Sequence, residues 1–233
     1  MGYKRTFAFF FLLFFTAITW AQSNHVYALK FETLFGNERL NPEGTFYKLG
    51  EKDSIRIDLV KYYISNIQFL LNDEVVWEER SSYHLVDVTV EESGNLKLNM
   101  PAGLNFNTLK FGLGIDSATN VGGALGGDLD PTKGMYWTWQ SGYINCKIEG
   151  AANLCPTRKN EFQFHLGGYQ SPFNAYQTVT LKTSASSPTD VVLDIKKVLA
   201  AIDLTSQNKV MSPGVEAVNL SAIVASAFSC KTP

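Results

Sequence analysis

The stretch IRIDL, Ile55 to Leu59, places a large apolar side chain at every second position, and YALKF, Tyr27 to Phe31, does the same. A period of two sends alternate side chains to opposite faces of a strand, whereas a helix would scatter these residues around its circumference. Working outward, the pattern returns at Ile67 to Leu71, Val75 to Trp77, Tyr83 to Val90, Leu96 to Met100, Leu109 to Ile115, Met135 to Ile148, Glu161 to Leu166 and Tyr176 to Leu181. Asn, Gly and Pro separate these runs. Short strands at this spacing predict a mainly β fold, an antiparallel β-sandwich, and no internal repeat interrupts it.

The pattern changes near the C-terminus. Ser212 and Pro213 suit an N-cap and first helical position, and Leu220, Ile223, Val224, Ala227 and Phe228 follow at helical spacing. A second short helix is expected over Asp194 to Ile202. One or two short C-terminal helices would then cap an end or edge of the sandwich, where open strands invite aggregation.

At the other end, Lys4 and Arg5 precede an unbroken apolar run from Phe7 to Phe15, followed by the small residues Thr19 and Ala21. This order reads as a cleavable signal peptide over residues 1–21, with a mature chain beginning near Gln22. The apolar run is shorter than the roughly 20 residues that span a bilayer. A periplasmic or secreted location follows as the expectation. Without the signal, 18 basic residues face 22 acidic ones, a net charge of −4 that does not favour nucleic acid. In an oxidising compartment Cys146 and Cys155 are candidates to close a short disulfide loop. Cys230 is then left free, paired between molecules, or the true partner of one of them.

Three regions hold the residues with chemistry. Phe111 to Met135, FGLGIDSATNVGGALGGDLDPTKGM, carries seven glycines and the carboxylates Asp116, Asp128 and Asp130. A connection this long is functional or mobile, but it has neither a phosphate-loop triplet nor a calcium-loop spacing. Next comes GMYWTWQSGYINCKIEG, Gly134 to Gly150; on a strand, Trp137 and Trp139 would share one face, as core packing or beside a binding site. In EFQFHLGG, Glu161 to Gly168, Phe162, Phe164 and Leu166 face one side and His165 the other. His25 and His84 are the remaining histidines; the free amino end near His25 would offer a second nitrogen. Three scattered histidines support a multi-histidine zinc site poorly. No nucleophile elbow or HExxH helix is present, so catalytic residues are not expected and the protein reads as a non-enzyme.

On FGLGID at Phe111 to Asp116, DLDPTKGMYWTWQSGYINCKIEG at Asp128 to Gly150, FQFHLGG at Phe162 to Gly168, MSPG at Met211 to Gly214 and KYYISNIQF at Lys61 to Phe69, the chain resembles the MbnP-like family. These are periplasmic copper-binding proteins associated with methanobactin and with the paired metallo-mystery systems. The resemblance implies a single all-β domain over residues 22–233. It implies copper held by histidines near a tryptophan oxidised to kynurenine, and a partner similar to two-haem cytochrome c peroxidases that performs the oxidation. Carried onto this chain, it puts forward Trp137 or Trp139 for modification and His165 as ligand; the metal-binding reading then needs a second donor, such as His25 or His84, nearby. Two features depart from the copper-binding relatives: SATNVGGALGGDLDP holds no histidine, and no cysteine follows soon after FHLGG. Imidazole and soft ligands suit copper. A copper-storing or copper-transferring protein and a non-metal interaction module both remain open.

Overall fold

The computed structural model describes residues 24–140, 142–185 and 188–231, and the expected signal peptide lies outside them. Two sheets face each other. The smaller runs Phe228–Cys230, Thr189–Asp194, Asn24–Phe35, and then Asn95–Pro101 and Glu38–Arg39 along the far edge of Asn24–Phe35. The larger runs Gln177–Lys182, Thr108–Leu113, Ile55–Leu71, Gly142–Ala152, Glu161–Gly167 and Lys209–Val210. Rings interlock across the gap: Tyr27 meets Phe69 edge-on at 5.4 Å between centroids, Phe31 meets Phe111 at 5.3 Å, and Tyr62 meets Phe228 at 5.7 Å.

The β-sandwich expected from the alternation is therefore present, mostly with antiparallel pairing. Among the described residues two pairings are parallel: Asn24–Phe35 with Thr189–Asp194, and Glu161–Gly167 with Lys209–Val210. Parallel neighbours need a long crossover. In the first case most of the chain lies between the partners, so no local pattern announces the pairing.

The strand Ile55–Leu71 is 17 residues long and organises the larger sheet. Its alternation fails in the middle, where Tyr62, Tyr63, Ile64 and Ser65 are all fully buried. Tyr62 enters the main core, while Tyr63 enters a second core on the sheet's outer face with Leu85, Ile115, Leu129, Met135, Trp137, Tyr143 and Ile144. Just beyond, register slips between Ser65 and Gln68, and Asn66 takes φ 51°. Asparagine tolerates that left-handed conformation better than other L-residues with a Cβ. Its side-chain amide donates to the Tyr176 hydroxyl at 3.0 Å. Pairing with Thr108–Leu113 continues on both sides of this bulge, from Ile64 opposite Leu113 to Leu70 opposite Thr108.

Both expected helices are present. Ile195–Ala200 is N-capped by Asp194, whose carboxylate accepts from the Lys196 amide at 3.0 Å. Val215–Ser226 begins after Gly214 without a side-chain cap, later than the Ser212 and Pro213 start read from the sequence. Ala217, Leu220 and Val224 join the main core, and the helix packs on Glu161–Gly167 and Gln177–Lys182. No described helix is long and apolar enough to cross a membrane.

The Cys146–Cys155 loop does not form. Strand Gly142–Ala152 continues six residues past Cys146, a rise of about 20 Å, before the turn in which the Cys155 amide donates to the Ala152 carbonyl. A disulfide needs Cα atoms within roughly 7 Å. Both thiols are buried, and burial pushes Cys146 up to about 12. Thiol alkylation of the native protein at pH 8 is expected to spare Cys146 and to label it fully once the chain unfolds. Peptide mass spectrometry without reduction reads both this and the missing crosslink.

Candidate functional site

The glycine-rich connection is a built layer over the outer face of the larger sheet. Asp116 caps a short helix, Ser117–Val121, accepting from the Thr119 amide at 2.9 Å. Asp130 accepts from the Thr132 amide at 2.8 Å, and Asp128 accepts from the Leu85 amide at 3.0 Å and pairs with Lys133 at 2.5 Å. All three carboxylates thus serve caps and backbone anchors. Asn120, almost fully buried, is the main tether: its amide nitrogen donates to the Ile115 and Asp116 carbonyls, and its oxygen accepts from the Tyr143 amide at 2.8 Å. The Tyr143 hydroxyl accepts from the Leu125 amide at 2.9 Å and donates to the Leu129 carbonyl at 3.1 Å.

Beyond this layer the chain forms a hairpin, not the continuous strand expected over Met135 to Ile148. Tyr136–Trp137 pairs back on Gly142 and Tyr143. The reversal separates the two tryptophans. Trp137 is 6% exposed and belongs to the second core, whereas Trp139 is 65% exposed. Their rings still touch, with centroids 5.8 Å apart.

The Trp137 ring rests on Gly167, so closely that a Cβ there would lie 2.8 Å from it. Gly167 points the same way as His165, opposite to Phe162, Phe164 and Leu166 in the main core. WTW and FHLGG, far apart in sequence, thereby meet on one face. The second glycine, Gly168, has φ 121°, and a side chain there would strike the Phe173 carbonyl. Trp137, Gln140, Tyr169, Phe173 and Pro213 line an adjoining pocket of about 230 Å³ with no charged residue in its wall.

His165 is 8% exposed, and its Nε2 lies 2.6 Å from Glu149 Oε1. A carboxylate only accepts, so Nε2 carries the proton and donates it, and Nδ1 is the ring nitrogen whose lone pair is left for an acceptor role or a metal. Burial holds this imidazole below its ordinary range; the Lys147 charge adds to the effect and the Glu149 hydrogen bond opposes it. The contact is thus a hydrogen bond donated by a neutral ring to the Glu149 carboxylate at neutral pH. Lys147, opposite His165 in the ladder, donates to the Gly134 carbonyl at 2.8 Å and ties the hairpin to the sheet.

The other two histidines stand elsewhere. His84 bonds Glu79 at 2.8 Å on strand Tyr83–Asp87, beyond the opposite side of Ile55–Leu71 from Gly142–Ala152. Three strand spacings, about 14 Å, separate its strand from that of His165. His25 is exposed on the smaller sheet, opposite Met100. Among the described residues no group of three or more His, Cys, Asp or Glu is placed to hold a metal ion. Sequence reasoning missed Glu149, Asn120 and Gly167. Glu149 showed only as one of two charges, with Lys147, on its strand, and Gly167 only as part of FHLGG.

The family model described as MbnP matches residues 24–212. The chain belongs to the MbnP family. Among solved structures, MbnP from Methylosinus trichosporium superimposes with a TM-score of 0.54 at 14% identity, covering 82% of this chain and 83% of that one, a likeness of fold. No curated protein matches. MbnP membership suggests a copper-associated role.

Asn120→Ala removes three buried hydrogen bonds and should destabilise the protein by about 2–4 kcal/mol, with a red-shifted tryptophan emission as Trp137 gains water. Urea unfolding followed by fluorescence measures both. A second expectation concerns pH. Folded His165 takes up its proton less readily than the unfolded chain, so the unfolded state binds more protons as pH falls through about 6.5. Stability present above that pH should decline toward pH 5, and more steeply in the wild type than in His165→Gln; thermal melts across the range decide it.

Proposed function

We propose that this chain is an exported, copper-associated binding protein, not an enzyme. It holds one copper ion beside Trp137 and stores it or hands it on. The carrying observation is the Trp137 ring on Gly167, on the same face as His165. The Glu149–His165 hydrogen bond supports the fit, because metal-ligating histidines commonly give their other N–H to a carboxylate. His165 Nδ1 would be the imidazole donor, and the aromatic amine of a kynurenine at position 137 the second. Few, soft or nitrogen ligands are what Cu(I) accepts, and the bound ion would supply a redox-active centre. His25 and His84 fall outside this site. Glu149 orients the ring, Gly167 admits the indole, and the buried setting limits water. A two-haem partner similar to cytochrome c peroxidases would carry out the oxidation, in the periplasm or outside the cell.

A second reading, a module that binds a neutral partner without metal, draws on the uncharged pocket next to Trp137. Metal analysis and peptide mass spectrometry on protein from its native host separate the two. Copper near one per chain, with Trp137 having gained an oxygen and lost a carbon, is the expected result. Glu149→Gln should weaken copper binding by about 10–100-fold, while His25→Ala and His84→Ala leave it unchanged. Unmodified tryptophans without copper would favour the second reading.

A further inference from the structure

The two tryptophans of the hairpin differ in the property that decides how an electron leaves the site. Trp137 is walled in by the second core and by Gly167, with 6% of its surface exposed. Trp139 stands out at 65%, and its ring contacts that of Trp137 at 5.8 Å between centroids and 47° between planes. Electron tunnelling falls off steeply with separation, and indole and phenol are the most readily oxidised rings among ordinary side chains.

We infer that Trp139 is an electron relay: a one-electron oxidant at the surface oxidises Trp139, which then recovers its electron from Trp137. In balance, the oxidant gains one electron and Trp139 becomes a radical cation. One electron passes from Trp137 to Trp139, restoring Trp139, and the Trp137 indole N–H proton leaves for water in the adjoining pocket. The net products are the reduced oxidant, a neutral Trp137 radical and a proton. Losing the proton matters, since a cation held in the second core would be poorly solvated. The pocket of about 230 Å³ is roomy enough for the water that takes it. The natural oxidant would be the haem partner of the proposed function, the one point at which the relay rests on that reading. The relay requires no copper, so it stands or falls separately from the metal-binding reading.

The test uses photogenerated tris(bipyridine)ruthenium(III), a one-electron oxidant too bulky for the pocket, on the full mature chain in air. Dioxygen traps the radicals, and peptide mass spectrometry reads the oxidised share of Trp137 against that of Trp77, a partly buried tryptophan on strand Glu74–Glu78. Trp139→Phe is expected to lower Trp137 oxidation by about tenfold with Trp77 unchanged, and Trp139→Tyr, which keeps an oxidisable ring, to restore much of it. Undiminished Trp137 oxidation in Trp139→Phe would overturn the relay. So would a Trp139→Tyr variant no better than Trp139→Phe, because the loss would then reflect packing alone.

Discussion

The burial of strand Ile55–Leu71 on both faces is the constraint on which the rest of the molecule depends. Tyr62 and Tyr63 are adjacent and fully buried, so they must enter two different cores. A sandwich supplies only one core between its sheets. The outer face of the larger sheet therefore needs its own cover, and the segment from Ile115 to Tyr143 provides it. Tyr63 donates to the Asp128 carbonyl and packs edge-on against Tyr143 at 6.0 Å, so its ring is the peg around which that cover is set.

Covering the sheet also assembles the site. The layer ends in the hairpin that lowers Trp137 onto Gly167, and His165 is held on the same face by Glu149. Each glycine of FHLGG admits a different neighbour: Gly167 the indole, Gly168 the Phe173 backbone. Buried polar anchors at Asn120 and Tyr143 make the layer rigid, since leaving such groups unpaired costs more than pairing them gains. A rigid cover keeps Trp137 in one place and leaves Trp139 at the surface.

Much of this was legible in the chain. Period-two alternation named the strands and the sandwich, helical spacing named the last helix, and the WTW and FHLGG clusters pointed to the residues that meet. The failures share a cause. The reversal after Trp137 was read as strand because Trp137 and Trp139 fit the alternation, yet the pairing of Tyr136–Trp137 back on Gly142 and Tyr143 outweighed it. The glycine-rich connection resembled a free loop because its tethers, Asn120 to Tyr143 and Asp128 to Leu85, join residues that no local pattern relates. The Cys146–Cys155 spacing looked like a loop because the length of the intervening strand was not visible in composition.

By itself, then, the sequence determined the local periods, the class of fold and the membership of a family, because these follow from which side chains alternate and from motifs carried whole in short stretches. Tertiary structure alone decided the two parallel pairings, the separation of His25, His84 and His165, the burial of one tryptophan beside an exposed one, and the contact of Trp137 with Gly167. Each of these depends on distances between residues remote in the chain, which are set by how two sheets and a covering layer exclude water together.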